Sequence, residues 1–181
     1  MTSKCMVLTL CTYSYRSLLD VFNTINTFLV YHIFSHLPCM VFTLYPKYRS
    51  TGLPQAWGSE PAGSYSTGGI VPSIAGNVYF HEGLFSDTLS PFLKDLGDEA
   101  YVAYANIDCD LYTSTLDILE ALHGRIVEGT ILVFDEYICH PTWRQDEFRA
   151  WRESCKRFGW KYEYLGFSLS SKQAVVRVTG V

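Results

Sequence analysis

Tyr101-Val-Ala-Tyr-Ala-Asn-Ile-Asp108-Cys-Asp110-Leu-Tyr-Thr-Ser-Thr115 and Thr130-Ile-Leu-Val-Phe-Asp135-Glu136-Tyr137 are two short apolar runs, each closing in carboxylates. Between them Ser114 and Asp117 make a capping-box pattern, Leu116, Leu119 and Leu122 recur at helical spacing, and Gly124 supplies a stop. Ile131 to Phe134 is apolar without alternation, which suits a strand covered on both faces. Together these segments predict a β-α-β unit whose parallel strands end at the same edge of a sheet. Neighbouring strands lie about 4.8 Å apart, so Asp108 and Asp135 are spaced to share one cation at about 2.0 to 2.6 Å each. Oxygen-only ligands favour magnesium, manganese or calcium over zinc. An aspartate at a strand end is equally an ordinary helix cap or solvated turn. What sets this chain apart is the pairing of Asp108-x-Asp110 with Asp135-Glu136 on successive strand ends.

At 181 residues the chain has the size of one domain, and with 48% hydrophobic residues it has the means to bury a core. A formal net charge of -4 leaves no basic footprint and argues against a nucleic-acid partner. Cys5, Cys11, Cys39, Cys109, Cys139 and Cys155 contain no C-x-x-C pair; they read as reduced thiols of a cytoplasmic protein rather than a disulfide frame or a zinc site. His32 and His36 are four apart but lack a third ligand, and His81, His123 and His140 show no ligand pattern.

Residues 1–45 carry only Lys4, Arg16 and Asp20 as charged side chains. Phe28 to Tyr45 is apolar enough to invite a membrane-span reading, but it contains His32, His36 and Pro38 and falls short of the roughly 20 residues a span needs. The amino terminus does not read as a signal peptide. The pattern instead predicts a strand at Met6 to Cys11, a helix from Arg16 to about Phe34, and a strand at Cys39 to Tyr45, the opening of a doubly wound sheet. Pro46 to Ala75 is a Gly-, Pro- and Ser-rich connection, functional or flexible. Asn77 to Glu82 reads as a strand, and Gly83 to Leu93 leads into a short helix. Beyond Glu136, Thr142 and Gln145 fit a second capping box, while Phe148, Trp151, Cys155 and Phe158 form an apolar helical stripe that belongs to the core. Lys161 to Phe167 and Gln173 to Val178 close the chain as an antiparallel hairpin. No internal repeat is evident, so the chain divides into an atypical segment 1–45, a loop-rich stretch 46–76 and a core 77–181.

Ile107-Asp-Cys-Asp-Leu-Tyr-Thr-Ser-Thr115, with Leu132-Val-Phe-Asp-Glu-Tyr137, Gly83-Leu-Phe-Ser-Asp-Thr-Leu89 and Gly52-Leu-Pro54, resembles the macrocin O-methyltransferase family of class I S-adenosylmethionine-dependent methyltransferases. The likeness runs over about residues 50 to 178. It implies an α/β, doubly wound, mostly parallel Rossmann-like sheet with its last strand antiparallel. It also implies a divalent ion such as Mg2+ held by Asp108, Asp135 and Glu136, and contacts to S-adenosylmethionine from Gly83, Phe85 and Asp108. Asp110 is the implied base for the hydroxyl of a small-molecule or sugar acceptor. An ion there would lower the hydroxyl's pKa and fix it in line with the sulfonium methyl while a carboxylate takes the proton.

The front of the chain departs from that pattern. Where the family has an acidic, glycine-containing turn after its first strand, this chain reads Leu10-Cys-Thr-Tyr-Ser-Tyr-Arg16, and Tyr48 stands about where the ribose-binding acid is expected. Tyrosines there fill space that the cofactor needs left to bare backbone. The change in charge density before Pro46 is also what a truncated or wrongly joined amino terminus gives. The sequence therefore leaves open an inactive, fold-retaining remnant or binding protein. More remotely, Asp108-x-Asp110 is also the metal motif of nucleotide-sugar glycosyltransferases. The acceptor and a homo-oligomeric state are not written in the residues.

Overall fold

The computed structural model describes residues 4–11, 39–45, 56–64, 78–82 and 84–181. The expected helix from Arg16 to Phe34, the turn at 12–16, Tyr48, Gly52-Leu53-Pro54 and Gly83 lie outside the described residues. The strands are β1 (Lys4–Cys11), β2 (Cys39–Tyr45), β3 (Val78–Glu82), β4 (Ala100–Asp108), β5 (Ile126–Phe134), β6 (Lys161–Ser168) and β7 (Gln173–Gly180). Three helices join the later ones: α1 (Phe85–Leu96), α2 (Tyr112–Leu122) and α3 (Glu147–Phe158). The strands form one sheet in the order β3-β2-β1-β4-β5-β7-β6. β1 lies parallel to β2 and β4, β2 to β3, and β4 to β5, while β7 runs antiparallel to both β5 and β6. The carboxyl ends of β1 to β5 thus share one rim, and the closing hairpin stands where the sequence places it.

Burial explains this arrangement. From Val102 to Asp108, β4 is buried without interruption, as a strand covered on both faces must be. α2 packs against both α1 and α3, so the three helices share one face of the sheet. Into that face go Leu89, Ile118, Leu119, Phe134, Trp151, Ala174, Val176 and Val178, all with no more than 1% exposure or none. Phe148 and Phe158 pack against this cluster from its margin, which completes the predicted stripe on α3.

Local chemistry sets several boundaries away from their expected positions. β5 begins five residues before Ile131, because Gly129 (φ 93) carries an irregularity that the apolar pattern does not show. Thr130 fills it, its hydroxyl donating to Val102 O at 2.6 Å and accepting from Val127 N at 3.0 Å. α2 opens at Tyr112 with Leu111 at its cap, so Ser114 lies inside the helix, buried, and forms no capping box. The second capping box also fails: Thr142 precedes a 3-10 turn (Trp143–Gln145), and its hydroxyl donates to Asp146 Oδ2 at 2.7 Å.

Arg125 fastens the start of β5 to the end of α1. Its guanidinium donates to Leu93 O at 2.9 Å, Gly97 O at 2.7 Å and Ala100 O at 2.9 Å. Cys39–Tyr45, part of the stretch open to a membrane reading, is a strand flanked by β1 and β3. Among the described residues no helix is long and apolar enough to cross a membrane. β6 is the outermost strand and exposes Leu165 and Phe167, with Leu169 in the following turn.

Candidate functional site

The sheet order reverses direction between β1 and β4, the place where open α/β sheets leave a crevice at their carboxyl ends. Cys11 ends β1 opposite Asp108, and Ile107 pairs with Phe134, while Asp135 N donates to Ile107 O at 3.0 Å. Asp108 and Asp135 therefore emerge from adjoining strand ends, as the sequence pattern requires. Asp108, Asp110 and Glu136 are all buried.

Beyond Asp108 the chain makes a tight turn. Leu111 N donates to Cys109 O at 2.5 Å, and Asp110 takes a left-handed backbone (φ 59), a conformation aspartate tolerates better than most residues. Two side chains hold the middle of this turn: Cys109 N donates to Glu147 Oε1 at 3.3 Å, and Cys109 Sγ lies 3.2 Å from Thr115 Oγ1.

Glu147 is the residue that sequence reasoning missed. It opens α3, has no exposed surface, and its Oε2 has no hydrogen-bond partner among the described residues. Burial, and then the nearby charges of Asp110 and Asp135, hold its carboxyl well above the usual range, so that the fold opposes its ionisation. The signal was present: Glu147 stands one helical turn before Ala150 and Trp151 on the buried stripe, where a carboxylate has no structural reason to sit. The Cys109 thiol is pushed up as well, first by burial and then by Glu147.

The β5 tip is dressed differently. Gln173 Nε2 donates to Asp135 Oδ1, and the Lys172 ammonium lies 3.1 Å from Glu136 Oε2 and 3.4 Å from Oε1. Burial raises the Asp135 carboxyl, the Gln173 bond opposes this, and Glu136 adds to it. His140, which shows no ligand pattern in the sequence, folds back to donate from Nε2 to Glu136 O at 2.8 Å, and the Trp57 ring packs on its imidazole with centroids 5.4 Å apart.

The described residues lend the expected divalent ion no support. Among the described residues no three His, Cys, Asp or Glu side chains converge with metal-ligand spacing. The physical reason is that Asp135 and Glu136 are already engaged, one by an amide and the other by an ammonium, so this donor set does not fit a divalent cation. Phe85, expected to touch a cofactor, packs in the apolar core at the first turn of α1. A cavity of about 430 Å3 lined by Tyr101, Val127, Gly129, Ile131, Leu165 and Arg177 lies at the opposite ends of β4 and β5, away from the carboxylates.

Residues 74–156 match the family model of the macrocin O-methyltransferases, a span that contains both carboxylate-bearing strand ends and the opening of α3. Over these residues the chain is similar to the macrocin O-methyltransferases. The whole fold agrees. CalS11, a calicheamicin methyltransferase, superposes with a TM-score of 0.66 at 18% identity, covering 95% of this chain and 71% of its own. The O-methyltransferase NovP gives 0.61 at 18% identity, over 96% of this chain and 72% of its own. An apo structure of CalS11, described as a TDP-rhamnose 3'-O-methyltransferase, gives 0.58. At such identities the structures establish a shared fold, and the stretch that matches the family model contains Asp108, Asp110, Asp135, Glu136 and Glu147. No curated protein matches the chain by sequence. Among the described residues Cys109 and Cys155 are buried and Cys139 is exposed, each a free thiol.

Proposed function

We propose that this chain transfers the methyl group of S-adenosylmethionine to a hydroxyl of a small molecule. A sugar hydroxyl is the acceptor in view, by analogy with the TDP-rhamnose methyltransferase that shares the fold. The observation that carries the reading is the family match across 74–156, which takes in both strand ends at the sheet's crevice. Asp110 is the base: it is buried, and its left-handed turn, tied by Glu147 through Cys109 N, fixes its carboxylate beyond the β4 tip. A positioned carboxylate that accepts the proton as the oxygen attacks contributes about 10²- to 10⁴-fold. The sulfonium loses its charge as the methyl departs, so alignment of oxygen, carbon and sulfur matters more than an oxyanion pocket. Asp108 and Gly83, at and just beyond the ends of β4 and β3, flank the cofactor in this reading. No step is assigned to a metal ion, because the Asp135 and Glu136 carboxylates are occupied by Gln173 and Lys172.

The second reading, a remnant or binding protein with the same fold, is supported by the residues after β1: Thr12-Tyr-Ser-Tyr-Arg16 offers no glycine beyond the strand end that faces Asp108. The family match is to methyltransferases and lends the glycosyltransferase reading no support. Calorimetric titration with S-adenosylmethionine and with S-adenosylhomocysteine separates the first two. Binding of both, followed by mass-spectrometric detection of a methylated nucleoside-diphosphate sugar, is the expected result. Absence of heat at millimolar ligand removes the transferase reading.

A further inference from the structure

We infer that Lys172 is the resident cation of the carboxylate rim, standing on Glu136 where a divalent ion would otherwise bind, so that the β5 tip needs no metal. The inference is independent of the methyl-transfer reading, since it concerns what neutralises the rim rather than what the rim does.

The β6–β7 turn is built to deliver this group. Lys172 adopts a left-handed backbone (φ 62) although it is not glycine, and its carbonyl accepts from Ile138 N at 3.1 Å, which joins the turn to the segment just past Glu136. Such a backbone persists in a non-glycine residue when its surroundings hold it there. From this anchored position the ammonium reaches both Glu136 oxygens, at 3.1 and 3.4 Å.

The next residue completes the arrangement. The Ser171 hydroxyl donates to Ser168 Oγ at 2.6 Å and lies 3.1 Å from Gln173 Oε1, so the Gln173 amide is turned with its oxygen toward the serines and its NH2 toward Asp135. Gln173 is buried and cannot easily exchange this contact for water. A divalent ion needs carboxylate oxygens at about 2.0 to 2.6 Å with their lone pairs free. An ammonium and an amide already aimed at those oxygens exclude it sterically and, for Lys172, by charge. Glu136 is itself buried, and a buried carboxylate must be paired with something; Lys172 supplies that partner from within the chain.

The test uses the full chain and requires no turnover. Wild type is titrated calorimetrically with MgCl2, MnCl2 and CaCl2 near neutral pH, and its melting is compared with and without EDTA. The expected result is no saturable heat and no change in melting midpoint. Lys172→Met, which keeps the stem and removes the charge, gains saturable Mn2+ binding at least about tenfold tighter than any seen in wild type, with a matching rise in melting midpoint, whereas Lys172→Arg behaves as wild type. Saturable millimolar or tighter binding of any of these ions by wild type, reversed by EDTA, overturns the inference even if Lys172→Met does not fold. So does a folded Lys172→Met that gains no ion. Failure of methyl transfer leaves either result unchanged.

Discussion

Glu147 offers the sharpest quantitative test of the site. Its Oε1 accepts from Cys109 N at 3.3 Å, and Glu147→Gln keeps that acceptor while removing the ability to ionise. The folded carboxyl titrates well above the ordinary glutamate range, so between that range and the folded value the native state binds more protons than the unfolded chain. Stability of the wild type must then fall as pH rises, by up to about 1.4 kcal/mol per pH unit from this group, until the folded carboxyl itself ionises. The glutamine variant lacks this loss. Below about pH 4 the two proteins should be equally stable, and above it Glu147→Gln should be increasingly the more stable, each 1 kcal/mol appearing as about 2–4 °C in melting midpoint for a chain of this size. Glu147→Leu removes the acceptor as well and should cost about 1–3 kcal/mol at every pH, by leaving Cys109 N–H buried and unmet. Urea or thermal unfolding of the three proteins across pH 4 to about 8 makes the comparison. A glutamine variant less stable than wild type near neutrality, or a difference that does not vary with pH, refutes the account of Glu147 as an acid whose ionisation the fold opposes.

Further outcomes follow from the same structure. Asp110→Asn should leave cofactor binding intact and lower turnover by about 10²- to 10⁴-fold; loss of binding instead would make Asp110 a ligand contact rather than a base. Arg125→Met removes three charge-assisted bonds to Leu93, Gly97 and Ala100 carbonyls and should cost about 3 kcal/mol, measured by chemical unfolding; a cost under about 1 kcal/mol would show that water replaces the guanidinium without penalty. Cys139 is exposed, while burial raises the Cys109 thiol and pushes Cys155 up to about 12. Peptide mapping after brief iodoacetamide treatment of the native chain should find Cys139 alkylated and Cys109 and Cys155 spared.

The sheet was legible because each strand of the core announces itself by composition. β2 lies where Cys39 to Tyr45 predicts it, and the hairpin follows from two β-rich runs around a serine turn. The first turn of each later helix was less legible. Ser114 and Thr142 look like caps, but Ser114 is buried within α2 and Thr142 is spent on Asp146, because the tight turn at Asp110 and the 3-10 turn at Trp143 start the helices by backbone geometry. At the rim the sequence located Asp108, Asp110, Asp135 and Glu136 correctly on neighbouring strand ends but not their partners. Lys172 and Gln173 lie more than thirty residues on and meet the β5 tip only after the hairpin folds back, a pairing no local pattern encodes. Glu147 was hidden for the opposite reason: an acid in the first turn of a helix is so ordinary that it masks its own place on the apolar stripe.

The outer strand has a practical side. β6 leaves one row of backbone N–H and C=O groups facing outward beside Leu165 and Phe167, and Leu169, at the hairpin tip, is 73% exposed. An uncovered margin of this kind recruits strands from neighbouring molecules in concentrated solution. Placing a lysine at Leu169 would blunt that tendency without touching the rim, and it is the change to make first when the purified chain precipitates.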